Sequence, residues 1–144
     1  MTKNGILCEV NEKHVYLDPK KTDSTAINFV SHAHSDHLPS KNGGTILSSI
    51  ETSAISDLRG FTMENHVESL DGFSLIDSGH VLGSKGLLFD DIFYTGDICT
   101  RDRGFLKAAE IPSCKTLITE CTFGLPEFIF PKMNEIQNYV NQLI

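Results

Sequence analysis

A chain of 144 residues, 40% apolar and 22% charged, has the make-up of one ordinary soluble globular domain. No apolar run reaches the about 20 residues needed to cross a bilayer, and the opening MTKNGILCEV lacks the apolar stretch of a secretory signal. A cytoplasmic protein with no membrane partner is expected. The net charge of −7 argues against nucleic-acid binding through overall charge, but it leaves room for a local site, because a divalent cation is often the largest charge in its pocket.

In chain order, the pattern is short strands broken by turns, with few helices and no repeats. Residues 6–10 and 14–18 read as a hairpin around residues 11–13, stopped by Pro19. INFVS (27–31) is a compact apolar strand that runs directly into a histidine-rich segment, and residues 45–48 form another short strand. Residues 52–58 form the first helix, with Ala54, Ile55 and Leu58 on one face and Gly60 where a C-terminal cap belongs. Strands follow at 73–77, 86–90 and 92–95, separated by glycine-containing turns. TLITE (116–120) reads as a buried strand ending in an acid. Ile136, Val140 and Leu143 then recur at helical spacing, which predicts a helix from Asn134 onward.

The four cysteines, Cys8, Cys99, Cys114 and Cys121, form no C-x-x-C pair. This argues against a zinc ribbon and a thioredoxin-like redox site; the cysteines are expected to be reduced and mostly buried.

The segment His32-Ala33-His34-Ser35-Asp36-His37 carries the chemistry. His32 and His34 are two residues apart, so an extended chain leaving the preceding strand aims both imidazoles the same way. Asp36 and His37 are adjacent, so they point in different directions and can serve a second metal. Mixed imidazole and carboxylate ligands suit zinc best, with manganese or iron as alternatives. Two further strands end in a candidate ligand: 73–77 leads into Ser78-Gly79-His80, and 92–95 into Gly96-Asp97. In each, glycine lets the backbone turn tightly beside a bound group. His14 and His66 fit no motif and read as structural or exposed.

Taken together, VSHAHSDH (30–37), SGHVLGS (78–84) and YTGD (94–97) resemble the metallo-β-lactamase superfamily. The resemblance implies an α/β (α+β) chain forming the N-terminal half of an αββα sandwich, of which this chain supplies roughly the first sheet. It also implies that His32, His34 and His80 hold a first metal, Asp36 and His37 hold a second, and Asp97 bridges the two. One or two zinc ions are thus expected.

LITECTFG (117–124) is similar to the first signature of the β-CASP branch, whose members are RNA and DNA nucleases. The longer stretch TECTFGLPEFIFP (119–131) is similar to exonuclease-like proteins encoded beside DNA ligases and to archaeal mRNA 3′-end processing factors. In that branch the acid at Glu120 lies beside the metals and orients a histidine from the β-CASP domain. Residues 1–130 then correspond to a half-domain and 131–144 to the start of a β-CASP insert. The remainder, including the last ligand of the second metal, is expected in a missing C-terminal half.

The resulting expectation is a two-metal, hydroxide-based hydrolysis of single-stranded RNA or DNA, with Asp36, Asp97 and Glu120 as catalytic residues, incomplete in this chain, which by itself should be weak or inactive. Arg101, Arg103 and Lys107 can contact phosphate or form a solvated face. Two alternatives stay open. One is a small-molecule hydrolase, such as a lactonase or thioesterase, on the same fold. The other is a non-catalytic metal-binding fragment that needs a partner chain. An exposed apolar sheet face would make an isolated half-domain a homodimer, or leave it waiting for its missing half.

Overall fold

The computed structural model describes residues 4–10 and 12–143. It is a mixed α/β chain with two sheets and two helices. Strands β1 (Ile6–Val10) and β2 (Lys13–Leu17) form the expected hairpin, with Cys8 opposite Val15. Asn11 lies outside the described residues. Strands β3 (Ile27–Phe29), β4 (Thr45–Leu47) and β5 (His66–Val67) then add in parallel, in the order β1-β2-β3-β4-β5. The two-residue β5 carries too little periodicity to be read from sequence.

The second sheet runs β6 (Ser74–Asp77), β7 (Lys85–Phe89), β8 (Ile92–Tyr94) and β9 (Thr116–Ile118). The first three form an antiparallel meander and β9 lies parallel to β8. Strands β6, β8 and β9 therefore share one direction, and their C-terminal ends open at one edge of the sheet. Strands β2 to β5 likewise share a direction.

One apolar core joins the two sheets. Val15, Leu17, Phe29 and Leu47 come from the first, and Leu87, Phe89 and Tyr94 from the second. Phe29 and Tyr94 meet edge to face, with ring centroids 6.1 Å apart. The expectation that the chain supplies only one sheet with an open apolar face is therefore corrected. The meander turns back within the chain and buries the face that would otherwise be wet.

The first sheet is buried on both faces near its centre. Phe29 and Leu47 point into the shared core, while their neighbours Val30 and Ile46 pack with Met63 on the other side. Asn28 also lies on this second face, fully buried. Its side-chain oxygen accepts from the Asp23 amide (2.8 Å), and its amide donates to the carbonyls of Asp23, Ala26 and Thr45.

Helix α1 (Ile50–Leu58) begins two residues earlier than its apolar spacing suggests, because Ser49 caps it by accepting from the Thr52 amide. Its inward face is also not the expected one. Thr52 and Ser56 are buried while Leu58 is 86% exposed. The hydroxyls turn inward because each finds a carbonyl: Thr52 Oγ1 donates to Gly83 and Ser56 Oγ to Phe61. Strand β9 is an exposed edge rather than a buried strand, with Leu117 48% exposed. Helix α2 (Met133–Leu143) forms as its spacing predicts but buries none of its residues, and residues 121–143 are exposed throughout. The four cysteines are free, as expected, but Cys8, Cys99 and Cys114 are only half-buried and Cys121 is exposed.

Phe29 is fully buried between the sheets. Phe29→Ala should cost about 3–5 kcal/mol of stability, read as a lower urea midpoint with an unchanged slope. A loss below about 1 kcal/mol, a typical single-mutant effect, would mean the two sheets do not share this core.

Candidate metal centre

The histidine-rich segment leaves the end of β3 at the seam between the sheets. His32 is fully buried and His34 half-buried. As expected of an extended exit, their rings approach each other, with His32 Nε2 2.9 Å from His34 Nδ1. The chain then makes a helical turn, in which His37 and Leu38 amides both donate to the His34 carbonyl. In that turn the His37 side chain is 16% exposed and that of Asp36 79%, with Asp36 Oδ2 3.7 Å from His37 Nε2.

The other two ligand candidates arrive from the second sheet. His80 follows β6 and lies with Nε2 3.3 Å from His34 Nδ1. Asp97 follows β8 through Gly96, whose φ of +55° suits glycine and where a Cβ would come 2.6 Å from Ser31 Cβ. Glycine there lets the two sheets close on each other.

Asp97 uses both of its oxygens. Oδ2 lies 3.8 Å from His32 Nε2 and 3.4 Å from His80 Nε2, while Oδ1 lies 3.4 Å from His37 Nε2. His32, His34, His80 and Asp97 each offer one ligand atom, all within 4.8 Å of one another. Such a group can hold a metal ion. Asp36 stands apart from this quartet, its side chain 79% exposed, and touches the site only through His37.

The electrostatics prepare these donors. Burial, followed by the neighbouring His37, pushes the His32 pKa down to about 3, so its imidazole is neutral and its lone pair available. Burial also lowers His80, against the opposing charge of Asp97. His37 behaves differently. Burial opposes its charge, but the hydrogen bond and charge of Asp18, with Asp97 and Asp36, outweigh that and raise its pKa.

Asp18 is the residue that motif reading missed. It directly follows β2, and its side chain is 7% exposed. Its Oδ1 accepts from the Ser31 amide (2.7 Å). Its Oδ2 accepts from Ser31 Oγ (2.6 Å) and Tyr94 OH (2.8 Å), and pairs with His37 Nδ1 (2.8 Å). One carboxylate thus fixes the start of the histidine segment and one of its rings. The sequence signal was available, because Asp18 is another acid at a strand end, directly before Pro19. Buried beside this carboxylate, Tyr94 has its pKa pushed well up.

Glu120 stands at the end of β9, half-buried. Its Oε1 accepts from the Ile98 amide (2.8 Å) and its Oε2 from Thr122 Oγ1 (2.6 Å), so it ties β9 to the segment that carries Asp97. Arg103 does not project toward an open site; its Nη2 donates to the carbonyls of Gly79 (3.3 Å) and His80. Lys107 pairs with Asp102 at 2.8 Å, and Arg101 is exposed on the same segment. His14 is exposed and pairs with Glu9, whereas His66 binds the Ser48 carbonyl. Both lie outside the cluster.

No family model matches the chain. A probable DNA ligase from Opitutus terrae (strain DSM 11246 / JCM 15787 / PB90-1) is 30% identical over an alignment of 125 residues, with 76% of this chain covered. The chain spans 12% of that relative's length. No described helix is long and apolar enough to cross a membrane.

Two outcomes follow from this geometry. Zinc-loaded protein, dialysed and analysed for metal, should retain one ion per chain, because among the described residues the quartet is the group that converges; two firmly retained ions would contradict that. Asp18→Asn should cost about 1–3 kcal/mol in urea unfolding, because an amide cannot accept at both oxygen positions. An unchanged midpoint would show that the Asp18 hydrogen bonds do not hold the site.

Proposed function

We propose that this chain is the N-terminal part of a metallo-β-lactamase-fold nuclease of the β-CASP branch, a metal-dependent phosphodiester hydrolase acting on single-stranded RNA or DNA. In this reading residues 1–130 form the half-domain and residues 131–144 begin the β-CASP insert. The observation that carries it is the convergence of His32, His34, His80 and Asp97, with the second oxygen of Asp97 turned to His37. The relative's name, a probable DNA ligase, supports a nucleic-acid substrate.

Three imidazoles and one carboxylate form a donor set that suits zinc, with manganese or iron as alternatives. When bound, such an ion supplies Lewis acidity toward a phosphate oxygen and a lower pKa for water. The chain's own residues do the rest. Neutral His32 and His80 offer lone pairs without first losing a proton. Asp97 Oδ2 completes the donor set, while Oδ1 faces His37 Nε2 and can accept a proton there. Asp18, bonded to His37 Nδ1, fixes which ring nitrogen faces Asp97. Asp36, exposed at the rim, is placed to take up a proton or join a second ion. Glu120 steadies the Asp97 segment through the Ile98 amide. Arg101, exposed on this segment, is available to a phosphate.

The exposed Asp36 favours a second reading, in which the chain holds one ion without catalysing a reaction. Incubation with labelled single-stranded RNA and DNA and added Zn²⁺ or Mn²⁺ separates the two. Only weak cleavage, which needs the metal and disappears in Asp97→Ala, is expected of this N-terminal part. Metal binding without cleavage would support the non-catalytic reading. Hydrolysis of lactones or thioesters in place of nucleic acid would overturn the nuclease assignment.

A further inference from the structure

His80 is the ligand candidate with the least regular structure around it. It sits in the loop between β6 and β7, after Gly79 at a φ of +68°. On one side this loop is held by α1, where Ser49 Oγ and Thr52 Oγ1 both donate to the Gly83 carbonyl (2.6 and 3.0 Å).

On its other side it is held by the segment that follows Asp97. The Cys99 amide donates to the Ser78 carbonyl at 2.8 Å. Gly79 lies flush against the same segment, since a Cβ there would come 2.6 Å from the carbonyl oxygens of both Cys99 and Lys107. Arg103 then donates from Nη2 to the carbonyls of Gly79 and His80. Arg103 is itself set by a tight turn, in which Arg103 and Leu106 exchange two backbone hydrogen bonds of 2.9 Å.

We propose that Arg103 is a positioning residue for the metal centre: its guanidinium clips the Gly79–His80 backbone to the Asp97 segment and so fixes the His80 imidazole against Asp97. This rests on reading the quartet as a metal site. Asp97 and Arg103 lie on one continuous segment, so a single stretch of chain both supplies one ligand and braces another. The chemistry favours arginine over lysine. A planar fork with fixed donors can serve two successive carbonyls, whereas an ammonium on a flexible stem offers no such pre-set geometry. Hydrogen bonds from a charged donor are also about twice as strong as neutral ones.

The test is Zn²⁺ affinity of the full chain, by competition with a chelating dye, for the parent, Arg103→Met, Arg103→Lys and the distant control Lys115→Met. The cobalt(II) absorption spectrum is recorded for each as a report on ligand geometry, and metal-free urea unfolding as a report on folding. Arg103→Met should weaken Zn²⁺ binding about 10–100-fold, the usual cost of losing a residue that orients a ligand, and should alter the cobalt spectrum. Arg103→Lys should fall between parent and Arg103→Met, and serves as the measured variant if Arg103→Met does not fold. Lys115→Met should match the parent.

Parent-like zinc affinity and cobalt spectrum in both arginine variants would overturn the proposal while leaving the metal site standing. Parent-like metal binding with weakened oligonucleotide binding would also overturn it, and would return Arg103 to phosphate contact. A parent that binds no zinc above His80→Ala would overturn the metal reading itself, and this proposal with it.

Discussion

Asp97 is the constraint on which the site turns, because its two carboxylate oxygens face donors from different parts of the chain. Oδ2 faces His32, which follows β3 of the first sheet, and His80, which follows β6 of the second. Oδ1 faces His37, beyond the helical turn of the histidine segment. No single loop could make this arrangement. It requires the two sheets to be held in register, so the core around Phe29, Leu47, Leu87 and Tyr94 is a precondition of the chemistry and not only of stability. Gly96, which admits Ser31 at close approach, is where that packing requirement meets the site.

A second carboxylate, Asp18, makes the arrangement rigid. It gathers the Ser31 amide and hydroxyl, the Tyr94 hydroxyl and His37 Nδ1. Four buried or half-buried donors on one acid give a network in which each bond holds the others in place. The acid lies in the first sheet and Tyr94 in the second, so this network also crosses the seam. The two acids divide the work: Asp18 orients, and Asp97 stands among the donor atoms. Glu120 and Arg103 extend the same logic outward, one tying β9 to the Asp97 segment and the other tying that segment to the His80 loop.

Much of this was legible in the sequence because strand ends are simple to recognise. Short apolar runs followed by Gly-Asp, Gly-His or a histidine-rich turn marked the candidate ligands, and the family resemblance joined His32, His34, His80 and Asp97 with Asp36 and His37 in one set of six. What failed did so for physical reasons. Helix α1 buries Thr52 and Ser56, not Leu58, because carbonyls of Gly83 and Phe61 await the hydroxyls, and those carbonyls belong to distant loops. TLITE has the composition of a buried strand, yet it lies at a sheet edge, and edge position is a property of topology rather than composition. Asp18 was passed over because its partners are up to 76 residues away. From sequence Arg103 is either a phosphate contact or part of a solvated face, because nothing near it in the chain signals the two carbonyls, of Gly79 and His80, that its guanidinium meets.

Three imidazoles and one carboxylate at the seam of the two sheets form a group that can hold a single metal ion. X-ray absorption at the zinc edge reads its ligands, on protein loaded with one equivalent of Zn²⁺ and on His80→Ala treated in the same way. A low-coordinate shell of nitrogen and oxygen with a strong imidazole signature is expected, weakening by one imidazole in His80→Ala. A shell containing sulfur, a six-oxygen hydrate, or a spectrum unchanged by His80→Ala would contradict it.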